Sequence, residues 1–323
     1  MAKPKVIVTR RWPGEVEKQL AEHFDVELNR EDRPLDRAAL KDALGTADAL
    51  FPTVTDRIDA EVLAADPLKA RFLGNFGVGF NHIDVEAAKA RGITVTNTPQ
   101  VLTDATADLA VTLLLMVARR AGEGERHLRA GDWSGWRPTH MVGTQVTGKT
   151  AGLIGLGRIG QAAARRLHHG FGMKILYQDP FPPPAEAIAD FGAERCGTVE
   201  EVLERADFVS LHCPGGGANT HLMNAERLAL MKPSAFLINS ARGDVIDEAA
   251  LVAALRSGQI AGAGLDVVPV EPPPRDNPLF SAANCFVTPH IAWATRSARS
   301  RLLNTLVDNV KAYLAGEPRN VVN

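Results

Sequence analysis

The chain has 323 residues, 45% of them hydrophobic and 23% charged, with a formal net charge of −2 at pH 7. That length exceeds what one hydrophobic core usually serves, so two domains are expected, and the ordinary globular composition excludes a fibre, a long disordered tract or a membrane protein. The slight negative charge excludes the basic excess that would draw in nucleic acid.

The start, MAKPKVIVTR, offers only a short apolar run before Arg10. This is too short for the core of a secretory signal, so a cytoplasmic location is expected. Apolar runs at 6–8, 49–51, 72–73 and 93–95 alternate with amphipathic segments at 14–24 and 36–45, the pattern of βα units around a parallel sheet. A helix is predicted from Thr103 or Asp104, either able to cap it, to about Arg120. Its apolar stretch is about half a bilayer span, so no membrane is expected as a partner. Residues 121–148 are rich in Gly, Thr and Trp, weakly periodic, and long for an idle connection.

The alternation resumes at residue 150, with strands predicted at 151–155, 174–178, 208–212, 235–239, 263–267 and 285–288 and a last helix at 297–314. The fold class is therefore α/β, with two doubly wound parallel-sheet domains. Residues 1–100 with 291–323 are assigned to one domain and 101–290 to the other. Three cysteines without C-x-x-C spacing read as core residues, and adjacent His168 and His169 point about 100° apart on a helix, so no metal site is expected.

Residues 150–160 read TAGLIGLGRIG, a predicted strand followed by G-x-G-x-x-G and an alanine-rich helix. In that context Gly155 serves the tight turn, Gly157 the close approach of a pyrophosphate, and Gly160 the helix-to-strand packing. The phosphates would rest on the positive end of the helix, beside Arg158 and Ile159. Asp179 closes the next strand, where a carboxylate accepts hydrogen bonds from ribose hydroxyls and repels a 2′-phosphate. Pro180 and Phe181 add no cation, so NAD(H) is favoured over NADP(H), which the fingerprint alone also admits.

INSARGDVID (238–247), GLDVVPVEPPP (264–274) and VTPHIAWAT (287–295) each begin as a predicted strand and break at its C-terminal end. That is the rim where open α/β sheets bind ligands, and it carries Arg242, Glu271 and His290. These stretches, with NFGVGFNHID (75–84), TADLAVTLLL (106–115) and GLIGLGRIG (152–160), span essentially the whole chain. Together they resemble the D-isomer-specific 2-hydroxyacid dehydrogenase family, and within it the glyoxylate and hydroxypyruvate reductases.

The resemblance implies a flavodoxin-like substrate domain, a Rossmann NAD domain and NAD(P)H-dependent reduction of a small 2-oxo acid to the D-2-hydroxy acid. By that resemblance Arg242 grips the oxo acid, His290 is the general acid and Glu271 orients it. Val54 and the backbone N–H groups of Val78 and Gly79 contact substrate, while Thr106, His212, Pro214, Thr220 and Asp266 contact the cofactor. The segment 121–148, with Trp133 and Trp136, matches the family's dimerisation arm and implies a homodimer. Positions 215–217, Gly-Gly-Gly, depart from the Pro-Leu-Thr-like run usual there. Two competing readings stay open: oxidation of phosphite with NAD, whose branch carries a similar Arg-Glu-His set, and a dinucleotide-sensing corepressor that binds without turnover.

Overall fold

The computed structural model describes residues 3–323. It divides into two compact units, one running to Leu102 and taking in Thr295–Asn323, the other Thr103–Ala294.

The first unit is built on five parallel strands, β1 (Lys5–Val8), β2 (Asp25–Leu28), β3 (Ala49–Phe51), β4 (Phe72–Gly74) and β5 (Thr94–Thr96). Their order is β2-β1-β3-β4-β5, the flavodoxin-like arrangement. Strands β3 and β4 are buried along their whole length, as apolar runs inside a parallel sheet should be. Strand β2 was not predicted. It lies on the edge, and its DVEL sequence exposes Asp25 and Glu27, which breaks the apolar run that marks the others.

Asp36, Asp59 and Asp84 each accept a backbone N–H from the third residue onward, so an N-cap starts each of the helices Arg37–Thr46, Ala60–Leu63 and Val85–Ala90. The last helix, Arg296–Leu314, is capped by Thr295 and packs Tyr313 on Phe72 of β4, with ring centroids 5.0 Å apart. Beyond it the tail returns to β5, where the Val322 N–H donates to the Val95 carbonyl.

The second unit carries seven parallel strands: β6 (Thr150–Ile154), β7 (Lys174–Gln178), β8 (Glu194–Arg195), β9 (Phe208–Leu211), β10 (Phe236–Asn239), β11 (Gly262–Leu265) and β12 (Cys285–Val287). The order is β12-β11-β10-β9-β6-β7-β8. The chain leaves β6 toward β7 on one side and later returns to β9 on the other. The C-terminal ends of β6 and β9 therefore form the switch point where such sheets open a crevice. Strands β9, β10 and β11 are fully buried, whereas β8 is a two-residue exposed edge strand that sequence periodicity did not reveal.

Residues 121–148 are also more ordered than their weak periodicity suggests. A helix occupies Ala121–Arg129, and a Cβ on its Gly122 would stand 2.5 Å from the Phe286 ring. Among the described residues no helix is long and apolar enough to cross a membrane.

Candidate functional site

Three loops leave the C-terminal ends of β10, β11 and β12 in the second unit, and buried polar side chains, Asn239 and Asp266, hold the first and the last. His290 follows β12 in a left-handed backbone conformation, φ 51°, which an ordinary side chain adopts only when its surroundings require it. The Asp266 carboxylate supplies that requirement. Its Oδ1 accepts from the Thr288 hydroxyl at 2.7 Å and the Ile291 N–H at 2.8 Å, and its Oδ2 accepts from the Ala292 N–H at 2.8 Å. The Asp266 carbonyl takes the His290 N–H, also at 2.8 Å. Asp266 is only 1% exposed, and burial pushes its pKa up despite these donors. The resemblance places this residue on the cofactor; its hydrogen bonds place it under the histidine loop, which accounts for its burial.

The His290 imidazole meets the Glu271 carboxylate, Nδ1 to Oε2, at 2.7 Å. Glu271 Oε1 also accepts the Val268 N–H at 3.2 Å, which fixes the carboxylate from its own loop. Burial alone would raise the Glu271 pKa. The hydrogen bond from His290, the charge of His290, the Val268 amide and the charge of Arg242 outweigh it and hold the group below the ordinary carboxylate value. With Nδ1 committed to this bond, Nε2 is the ring nitrogen left to face a reactant.

Arg242 ends the turn after β10. Fully buried Asn239 forms that turn, donating from Nδ2 to the Arg242 carbonyl at 2.8 Å and accepting the Ala241 N–H at 3.0 Å. The half-buried guanidinium donates to the Ala241 carbonyl at 2.7 Å, and among the described residues it forms no ion pair. Burial pulls its pKa down, while the charges of Glu271 and then Asp244 oppose that shift. A cation half out of water, near carboxylates but paired with none, is an anion site by its chemistry. Arg242, Glu271 and His290 are thus brought into one electrostatic neighbourhood, with the Glu271–His290 contact direct.

The glycine motif lies at the end of β6, where the residues present fit a dinucleotide. Gly155 takes φ +92°, and a Cβ there would collide at 2.9 Å with His212 and Cys213 at the end of β9. A Cβ on Gly160 would stand 2.5 Å from the Gly155 carbonyl, so the helix Arg158–Phe171 could not approach its strand. A Cβ on Gly157 would meet nothing within 4 Å. Internal packing therefore does not call for this glycine, whereas close approach of a phosphate to the helix N-terminus does. Arg158 is exposed and Ile159 half-buried at that same terminus.

Asp179 Oδ2 accepts the Leu156 N–H of the glycine loop at 2.7 Å, and Oδ1 accepts the Phe181 N–H at 2.8 Å. The residue shapes the loop and still has a lone pair on each oxygen for a ribose hydroxyl. Among the described residues of the same unit, four enclosed polar atoms lack a partner, the Thr106 hydroxyl, His127 Nε2, His212 Nδ1 and the Ser240 hydroxyl, and of these Thr106 and His212 are the residues that the resemblance assigns to the cofactor. His212 bonds Ser210 through Nε2 at 3.0 Å, and burial lowers its pKa to about 4, so it is neutral near pH 7 and no competitor to His290 as an acid. Pro214 and Thr220 are exposed, Thr220 at the end of the short turn Gly217–Asn219, and neither joins the interlocked groups. The nicotinamide nucleotide that this cradle fits would be held by the glycine loop, Asp179 and the orphaned polar atoms of Thr106 and His212.

In the first unit the loop after β4 carries Gly77, Val78 and Gly79. All three of their carbonyls are taken by the protein, from the Thr98 N–H at 3.1 Å, Asn97 Nδ2 at 2.9 Å and Asn75 Nδ2 at 3.0 Å. With these carbonyls taken, the amides of Val78 and Gly79 are left as free donors among the described residues. Val54 is 41% exposed at the end of β3, with neighbouring Thr55 held by Thr53 and Arg10. Sequence reasoning missed the supports Asn75, Asn97, Asn239 and Thr288. Their only signal was a short polar side chain at a strand end, where such residues usually make turns.

A doubly wound sheet, a phosphate-fitting glycine loop, an unpaired guanidinium and an imidazole–carboxylate pair define an NAD(P)-dependent oxidoreductase. The profile of the D-isomer specific 2-hydroxyacid dehydrogenase NAD binding domain matches residues 111–292. Glyoxylate reductase of Thermococcus kodakarensis is 46% identical over 326 residues, which covers 99% of this chain and 96% of that protein. The TT0316 protein of Thermus thermophilus superposes with a TM-score of 0.91 at 44% identity, covering 99% of this chain and all of that one. The NADPH-dependent glyoxylate/hydroxypyruvate reductase of Sinorhizobium meliloti, solved with NADP and malonate, gives 0.87 at 35% identity over 99% and 97% of the two chains. The chain belongs to the D-isomer specific 2-hydroxyacid dehydrogenase family.

Proposed function

We propose that this chain reduces a small 2-oxo acid, glyoxylate or hydroxypyruvate, to the corresponding D-2-hydroxy acid, with NADH as the favoured reductant. The observation that carries the reading is Arg242, a half-buried guanidinium with no ion-pair partner among the described residues, in the charge field of the His290–Glu271 pair. Its planar fork suits a carboxylate with an adjacent carbonyl oxygen, a match that an ammonium cannot make. When bound at the glycine loop, the reduced nicotinamide supplies the hydride.

The protein's task is to meet the negative charge that grows on the carbonyl oxygen. His290 holds a proton on Nε2 and delivers it there; Glu271 fixes the ring and stabilises the imidazolium form. The amides of Val78 and Gly79 are proposed as donors to the substrate carboxylate, and Val54 as a contact to the substrate's far end. Glyoxylate reductases among the relatives support the substrate class. Asp179 supports NADH over NADPH, through repulsion of a 2′-phosphate.

The test follows NADH and NADPH at 340 nm against glyoxylate, hydroxypyruvate, pyruvate and bulkier 2-oxo acids, with phosphite plus NAD as the reverse arm. Turnover is expected with glyoxylate or hydroxypyruvate, and failure with every oxo acid would remove the reading. We further propose a homodimer through 121–148, where Trp133 is 51% and Trp136 82% exposed, and a cytoplasmic setting, which suits three free cysteines. A monomer in sedimentation equilibrium would contradict the dimer.

A further inference from the structure

We propose that Asp244 is a positioning residue for the 2-oxo acid: its carboxylate ties the loop bearing Arg242 to the glycine run 215–217 and thereby keeps the guanidinium fork aimed. The inference rests on the reading of Arg242 as the oxo-acid grip. Asp244 Oδ2 accepts the Gly216 N–H at 2.7 Å, and the Asp244 carbonyl accepts the His221 N–H at 2.8 Å. Both ends of the loop 216–221 therefore hang on this one residue.

The loop also lies directly along the stem of Arg242. A Cβ on Gly215 would stand 2.5 Å from Asp244 Oδ1 and 2.8 and 2.9 Å from the Cβ and Cγ of Arg242. A side chain at 215 would therefore press on both the Asp244 carboxylate and the arginine stem. Gly216 and Gly217 take φ values of +78° and +54°, and glycines of such freedom do not hold a loop by themselves. On the far side of the same turn, a Cβ on Gly243 would stand 2.0 Å from the Val268 backbone, whose N–H donates to Glu271. The arginine turn is consequently wedged between the glycine run and the loop of the glutamate. Asp244 forms no ion pair among the described residues, so its role is that of a hydrogen-bond acceptor.

The experiment compares the parent with Asp244→Ala, Asp244→Asn, Gly215→Ala and Arg242→Ala, using glyoxylate at saturating NADH and NADH titrated by fluorescence. For Asp244→Ala the KM for glyoxylate rises about tenfold or more, while kcat and the NADH Kd each move by less than about threefold. Asp244→Asn keeps an acceptor oxygen and recovers most of the lost KM; Gly215→Ala raises KM on its own by pressing on the arginine stem. If Asp244→Ala does not fold, the latter two variants carry the test. A fall in kcat at parental KM, as a partly folded population gives, or equal KM for the alanine and asparagine variants, overturns the inference. Arg242→Ala at the parental KM overturns the reading beneath it, and the inference with it. A crippled Arg242→Ala beside an Asp244→Ala of parental KM overturns only the inference.

Discussion

His212 shows how a residue can sit near the nucleotide loop and still be barred from acid catalysis. Burial lowers its pKa to about 4, so the folded protein resists its protonation while the unfolded chain accepts a proton near pH 6.5. Between those values the unfolded state binds more protons, so stability falls as pH drops through that window. The linkage amounts to at most about 3 kcal/mol, and His212→Gln should flatten the pH dependence of Tm between pH 6.5 and 4, as calorimetry would read. Asn75 makes the matching case in the first unit. Removing its amide in Asn75→Ala frees the carbonyl of Gly79 and leaves that of Gly77 to the Thr98 N–H alone, and the KM for the oxo acid is expected to rise about tenfold with a smaller change in kcat; an unchanged KM would separate that loop from substrate binding. Arg242, Glu271 and His290 were legible because each interrupts an apolar strand at the rim where ligands bind. Asn75, Asn239 and the structural duty of Asp266 were not, because a side chain bonding backbone a few residues away looks, in sequence, like any turn former.

Among the elements, the strand–loop–helix from β6 to Arg158–Phe171 was the most legible, since each glycine of the motif has a separate steric reason. Two of those reasons can be told apart experimentally. In Gly160→Ala the new methyl meets the Gly155 carbonyl at 2.5 Å, so Tm should fall by several degrees, in line with a cost of about 1–3 kcal/mol for overpacking. In Gly157→Ala the methyl meets no protein atom; Tm should hold while the KM for NADH rises about tenfold or more, as crowding at a phosphate site would produce. The reverse pattern in thermal melts and NADH kinetics would contradict the assignment of the cradle. Strands β2 and β8 escaped the sequence reading because edge strands of two to four residues with charged side chains carry no apolar run. The helix Ala121–Arg129 escaped it because two glycines and five charged or histidine residues in nine leave hardly any apolar stripe.

For the whole molecule, alternation of short apolar runs with amphipathic helices was enough to indicate two parallel α/β sheets, and two parallel sheets are found, in the orders β2-β1-β3-β4-β5 and β12-β11-β10-β9-β6-β7-β8. Strand order itself is invisible to periodicity, because crossover connections decide it and not local pattern. What the second unit achieves is to bring groups almost fifty residues apart in sequence, Arg242, Glu271 and His290, to the ends of neighbouring strands β10, β11 and β12. The central claim is that His290 supplies the proton to a carbonyl gripped by Arg242. Its most direct test is a single-turnover measurement of NADH oxidation by glyoxylate in the parent and in His290→Ala, with NADH binding measured on the same samples. The account predicts NADH affinity within about threefold of the parent and a reduction step slowed about a thousandfold. A His290→Ala variant that reduces glyoxylate at close to the parental rate would contradict it.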